Sequence, residues 1–135
     1  MKMNFTKIDH IDIAVSNFDR AVEFYKKLGT LVRSTTHHGY SAEFLIGGTI
    51  FEIHQVGLGK GTETEIPGVN HISFLVDGGR EELVKVHKEL DENGIKANFN
   101  DRPHPRTGRL HFAFRDEDGN RIQASIAERK IPGED

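Results

Sequence analysis

Ile8-Asp9-His10-Ile11-Asp12-Ile13-Ala14-Val15 returns 61 residues later as Val69-Asn70-His71-Ile72-Ser73-Phe74-Leu75-Val76. Each copy is a strand-like run with a histidine at its third position. Each is followed by a helix-like run that ends in glycine, Gly29 and Gly94. Self-similarity at a fixed period marks a repeat architecture. The chain therefore reads as two copies of one small unit, each with a histidine on its opening strand, and a site shared between the copies is expected.

Outward from the first copy, residues 6–15 alternate apolar and polar, the period of a half-buried strand. Ser16 or Asn17 can cap a helix, with Asp19 in its first turn. Phe18, Ala21, Val22, Tyr25 and Leu28 fall on one helical face, and Gly29 ends the helix. Strands follow over 31–37, 40–46 and 49–55, the last two joined by a tight turn at Gly47-Gly48. Residues 56–68 carry Gly57, Gly59, Gly61, Pro67 and Gly68 and read as a linker. The second copy repeats this order. It has a strand over 69–76, a helix over 80–93 with Leu83, Val86, His87 and Leu90 on one face, and a short strand at 95–99. A loop over 100–108, a strand over 109–115, a turn at 116–120 and a strand over 121–127 complete it. Residues 128–135 form a polar tail. The expected class is α+β: two tandem βαβββ modules (6–55 and 69–127) forming a curled mixed sheet around a central cleft, with helices outside.

Composition narrows the function. The chain has 135 residues, 36% of them hydrophobic, which suits one domain spanning residues 1–135. Net charge is −3 with the signs interspersed, so no basic stripe points to nucleic acid. No apolar run approaches the ~20 residues of a membrane span, and no signal-peptide core is present, so a cytoplasmic location is expected. Cysteine is absent. Disulfide and thiolate chemistry are thus excluded, and a metal would need His, carboxylate or amide oxygen.

Strand side chains alternate between faces. Ile11, Ile13 and Val15 should pack on the helix, leaving His10, Asp12 and Ala14 opposite. Ile72, Phe74 and Val76 repeat this, leaving His71, Ser73 and Leu75. Phe51 and Ile53 place Glu52 and His54 on the non-helix face. Ile122, Ala124 and Ile126 do the same for Arg121, Gln123 and Ser125. Four metal-capable side chains, His10, Glu52, His71 and Gln123, thus share that face.

These halves, with Thr49-Ile50-Phe51-Glu52-Ile53 and Asp118-Gly119-Asn120-Arg121-Ile122-Gln123, resemble the vicinal oxygen chelate superfamily over roughly residues 6–127. That family includes glyoxalase I, methylmalonyl-CoA epimerase, extradiol dioxygenases and the fosfomycin and bleomycin resistance proteins. The resemblance implies a divalent metal (nickel, zinc, iron, manganese or cobalt) on His10, Glu52, His71 and Gln123. Gln123 departs from the family pattern, which usually has glutamate there. The implied function is glyoxalase- or epimerase-like proton transfer on a small carbonyl or vicinal-oxygen substrate through a metal-stabilised enediolate. Glu52 is then ligand and proton shuttle. A ring-cleaving extradiol dioxygenase and a non-catalytic drug- or metabolite-binding protein are the alternatives, and a homodimer is implied.

Further residues carry open readings. His54 either lines the pocket wall or ends its strand partly exposed. His111 and Arg109 share a face and are candidate pocket residues. Arg102-Pro103-His104-Pro105-Arg106 is a stiff basic loop, either solvated or closing on an anionic substrate group through Arg102 and His104. Asp12 either orients a ligand or pairs with a cation. His37 and His38, adjacent on a strand or loop, point to opposite faces. His87 is expected to pack.

Overall fold

The computed structural model describes residues 3–35, 40–57, 65–99, 102 and 109–129. His37, His38 and His104 lie outside them. Among the described residues the order is β1 (Phe5–Val15), α1 (Phe18–Lys26), β2 (Thr30–Thr35), β3 (Ser41–Ile46), β4 (Thr49–Gln55), β5 (Gly68–Val76), α2 (Arg80–Glu92), β6 (Arg109–Arg115) and β7 (Arg121–Arg129). The class is α+β, with mixed parallel and antiparallel pairing. No helix among the described residues is long and apolar enough to cross a membrane. The chain divides into two compact units, one of His10–His71, the other of Met1–Asp9 with Ile72–Asp135.

In the His10–His71 unit the strand order is β2-β3-β4-β1. β1 runs parallel to β4, and β4 antiparallel to β3. The β3–β4 hairpin turns through Gly47 and Gly48 at φ 57° and 83°, a left-handed pair that glycine adopts without strain. The Asn17 side chain caps α1 by accepting from the Arg20 N–H at 3.1 Å. Phe18, Ala21, Val22 and Tyr25 then pack with Ile13 and Val15 on Ala42, Phe44 and Ile53. That face of β1 is the one expected from strand alternation. Gly29 lies against β3: a Cβ there would stand 2.2 Å from the Leu45 carbonyl oxygen. Any larger residue forces the start of β2 off its partner.

In the other unit β5 runs parallel to β7, and β7 antiparallel to β6. Val76, Leu83, Val86, Leu90, Leu110, Phe112, Ala124 and Ile126 form its core. His87 packs as expected, edge-on to Phe112 at 5.3 Å between centroids, with Nε2 on the Ala97 carbonyl at 3.0 Å. Two expectations need correction. Residues 95–99 form no strand. One bridge joins Asn98 to Ala113, and Ile95, Ala97 and Phe99 are held by packing on the core instead. The second copy is therefore βαββ among the described residues. Ile72 is 36% exposed, because the core gathers around Val76 at the other end of its strand.

The β6–β7 turn is organised by Asp116. Its Oδ1 accepts from the Asp118 and Asn120 N–H groups at 3.0 and 2.9 Å, and its Oδ2 from the Asn120 amide at 2.8 Å. The Asn120 side chain, followed by its backbone N–H, holds the Asp116 carboxyl below the usual carboxylate range. A depressed folded-state value means this support is complete above the unfolded carboxyl's pKa and is lost as pH falls through the folded value. Amide-exchange protection at Asp118 and Asn120 should be full above about pH 4 and fade below it. Gly29→Ala should lower stability by about 1–3 kcal/mol, measured by urea unfolding.

Candidate functional site

The His10–His71 unit buries its charge on one face. His10 and Asp12 alternate with Ile11 and Ile13 on β1, and Glu52 and His54 alternate with Ile53 on β4. The parallel register sets Asp12 beside Glu52 and Ala14 beside His54. All four polar side chains therefore stand opposite α1. His71 and Asn70, on β5, belong to the same unit. Exposures are 7% for His10, 6% for His71, 3% for Glu52, 2% for His54 and 0% for Asp12. Burial at this level is tolerated only when polar groups satisfy one another.

They do so in two sets. His10 Nε2 lies 3.2 Å from His71 Nε2, with ring centroids 5.3 Å apart and the planes at 81°. Glu52 Oε1 lies 3.9 Å from His10 Nε2, while its Oε2 accepts from the Ser41 hydroxyl at 3.1 Å. His71 Nδ1 meets the Asn70 side-chain oxygen at 2.7 Å, a bond that puts the proton on Nδ1 and leaves the Nε2 lone pair toward His10. In the second set His54 Nδ1 meets Asp12 Oδ1 at 2.6 Å and His54 Nε2 meets Glu65 Oε2 at 2.5 Å. Asp12 Oδ2 lies 3.6 Å from His71 Nε2, beyond hydrogen-bond distance.

The donors suit a borderline divalent ion in type. The imidazole pair also suits it in spacing, since two donors ~2.1 Å from a metal at 90–109° stand roughly 3.0–3.4 Å apart. Among the described residues no three His, Asp or Glu side chains close on a single point, so the Glu52 carboxylate would have to swing inward.

The other expected residues that are described belong to the second unit. Gln123 is buried on β7 in the other unit, with Ser73 and Ala113 as its strand partners. Arg109 is half-buried and ion-paired with Asp9. Arg102 is exposed and His111 half-buried; both line an open cavity of about 1370 Å³ in that unit, together with Lys96, Arg115 and Arg121. The cavity includes none of the buried histidine–carboxylate cluster. Residues that sequence reasoning passed over are Ser41, Asn70 and Glu65. For Ser41 and Glu65 no short-range pattern exists, because their partners come from other strands. Asn70 precedes His71 directly, yet strand alternation sends neighbours to opposite faces and hides the contact.

Comparison with known proteins accords with this architecture. Residues 7–124 match the family model described as the Glyoxalase/Bleomycin resistance protein/Dioxygenase superfamily. Glyoxalase domain-containing protein RDO1 of Mycosarcoma maydis is 28% identical over 134 residues, spanning 92% of this chain and 70% of that protein. Methylmalonyl-CoA epimerase from Mycobacterium tuberculosis superposes with a TM-score of 0.79 at 17% identity, covering 96% of this chain and 93% of its own. A variant of the Streptomyces coelicolor methylmalonyl-CoA epimerase, in complex with 2-nitronate-propionyl-CoA, gives 0.72 at 19% identity, covering 95% and 99%. At these identities the solved structures show a shared fold. The match across most of its length places the chain in the Glyoxalase/Bleomycin resistance protein/Dioxygenase superfamily, to which it belongs.

Proposed function

We propose that this protein is a metal-dependent isomerase or lyase of the glyoxalase kind that moves a proton on a small carbonyl-containing substrate. One observation carries the reading: two buried imidazole nitrogens, His10 Nε2 and His71 Nε2, 3.2 Å apart with a carboxylate beside them. His10, His71 and Glu52 are the residues that would hold the cation. When bound, a divalent ion supplies Lewis-acid polarisation of the substrate carbonyl, which acidifies the neighbouring C–H.

The chain's own groups supply the rest. Asn70 fixes the His71 tautomer, so Nε2 is the donor nitrogen. Ser41 ties one oxygen of Glu52 and leaves the other facing His10. In this reading Glu52 takes the proton from the carbon beside the carbonyl and returns it, as a positioned general base and acid. Burial strengthens the carboxylate's interaction with the polarised substrate. The substrate class is a carbonyl compound with an acidic α C–H. Thioesters of coenzyme A are the first to test, because one similar structure holds such an acyl group.

Protein purified without chelator should carry about one divalent ion per chain, and His10→Ala and His71→Ala should each cut that at least tenfold by elemental analysis. In deuterated water the wild type should exchange the α-proton of methylmalonyl-CoA or of an α-hydroxyketone. Glu52→Gln should slow exchange by about 10²–10⁴-fold. Stoichiometric metal in both histidine variants overturns the ligand assignment. Undiminished exchange in Glu52→Gln overturns the role of that carboxylate.

A further inference from the structure

The open cavity of about 1370 Å³ in the unit of Met1–Asp9 with Ile72–Asp135 is lined by none of the residues used in the chemistry just described. It runs along β6, beside the stretch that leaves α2. Four formally cationic side chains line it, Lys96, Arg102, Arg115 and Arg121, in a chain whose net charge is −3. The strands fix two of them. Arg115 closes β6 and Arg121 opens β7, and the antiparallel register sets them directly opposite each other. Residues so opposed share a face with their Cβ atoms roughly 5 Å apart, and like charges in that position destabilise a sheet. The turn between them does not relieve this. Asp116 spends its two carboxylate oxygens on the N–H groups of Asp118 and Asn120 and on the Asn120 amide. Arg115 donates from Nη1 to the Gly119 carbonyl at 2.8 Å, a neutral acceptor. Among the described residues neither Arg115 nor Lys96 forms an ion pair, although Asp91 and Glu117 line the same cavity. Ala113, on the same face of β6 as Arg115, lines the cavity with only a methyl group and leaves the approach to the guanidinium groups low.

We propose that this cavity binds the phosphate of a small organic phosphate, with Arg115 and Arg121 as its guanidinium arms and Lys96 and Arg102 as supporting charges. The oxygen count of the ligand decides the class. One guanidinium fork saturates a carboxylate. Two forks from neighbouring strands call for a group with three or more terminal oxygens, which a phosphate or diphosphate supplies. Its negative charge also cancels the repulsion across the β6–β7 pair. Size favours an organic phosphate over the bare ion, because ligand pockets occupy about 300–1,000 Å³ and this cavity is larger still, at about 1370 Å³. The site needs no metal and does not depend on the function proposed above.

Isothermal titration of the full chain in the presence of a chelator tests this with pyrophosphate, ADP, inorganic phosphate and adenosine. Pyrophosphate and ADP should bind at least about tenfold more tightly than inorganic phosphate, and adenosine should not bind. Arg121→Ala should weaken both diphosphates at least about tenfold, the loss of one charge-assisted fork. Arg115→Lys keeps the charge but loses the fork and should weaken them several-fold. Lys85→Ala removes an equal charge from the exposed side of α2, outside the cavity, and should change nothing. Amide resonances of Asp118 and Asn120 report whether the turn persists in each variant. ADP binding more tightly than pyrophosphate would support a nucleotide-like ligand, and equal affinities a ligand recognised through its phosphates alone. Absence of diphosphate binding at millimolar concentration, adenosine binding as well as ADP, or equal losses in Lys85→Ala and Arg121→Ala would overturn the proposal. Inorganic phosphate binding as tightly as either diphosphate would overturn the organic assignment.

Discussion

Two rings, His10 and His71, held nitrogen to nitrogen at 3.2 Å in a buried setting constrain the polar groups around them. Such a pair is stable only if one ring donates and the other accepts, so the tautomers must be set from outside. Asn70 does this for His71, and Asp12 approaches the same ring from the other side. The remaining buried charges follow from these two. Glu52 needs Ser41 and His10, and Asp12 needs His54, which in turn needs Glu65. Removing any member leaves a neighbour buried without compensation, a defect that typically costs about 1–3 kcal/mol.

The fold makes that arrangement possible by using both faces of its strands. α1 covers Ile13 and Val15, and the opposite face of β1 carries His10, Asp12 and Ala14, all buried. A strand with one solvated face could not keep histidine and carboxylate dry. The Gln55 side chain contributes at the strand end. Its oxygen accepts from the Phe18 N–H at 2.7 Å and its amide donates to the Ser16 carbonyl at 2.7 Å, anchoring α1 to β4.

Much of this was legible from alternation alone. The repeat around His10 and His71, the helix cap at Asn17 and the Gly47-Gly48 turn all depend on local chemistry, and local chemistry is written in sequence. The faces of β1 and β4 followed because an apolar helix-facing row fixes the opposite row. The failures share a cause. The 95–99 strand needed a partner whose availability no local pattern reports, and Ile72 needed to know where the core ends. His54 could be placed on a face, but its two carboxylate partners come from different parts of the chain, one on β1 and one ahead of β5.

Charge is where the structure alters the sequence reading most. Among the four ligands expected from sequence, Glu52 was the one carboxylate, and Asp12 was placed on the same face without a ligand role. The structure sets Asp12 directly beside Glu52 in the strand register, also buried, also within reach of a histidine of the pair. Two adjacent carboxylates in a low-dielectric setting repel, and the repulsion is tolerable only with cationic or donor partners at hand. His54 supplies one such partner from β4, and a divalent ion near the imidazole pair would supply another. Asp12, two residues along from His10, thus adds a second buried carboxylate to the face that carries Glu52.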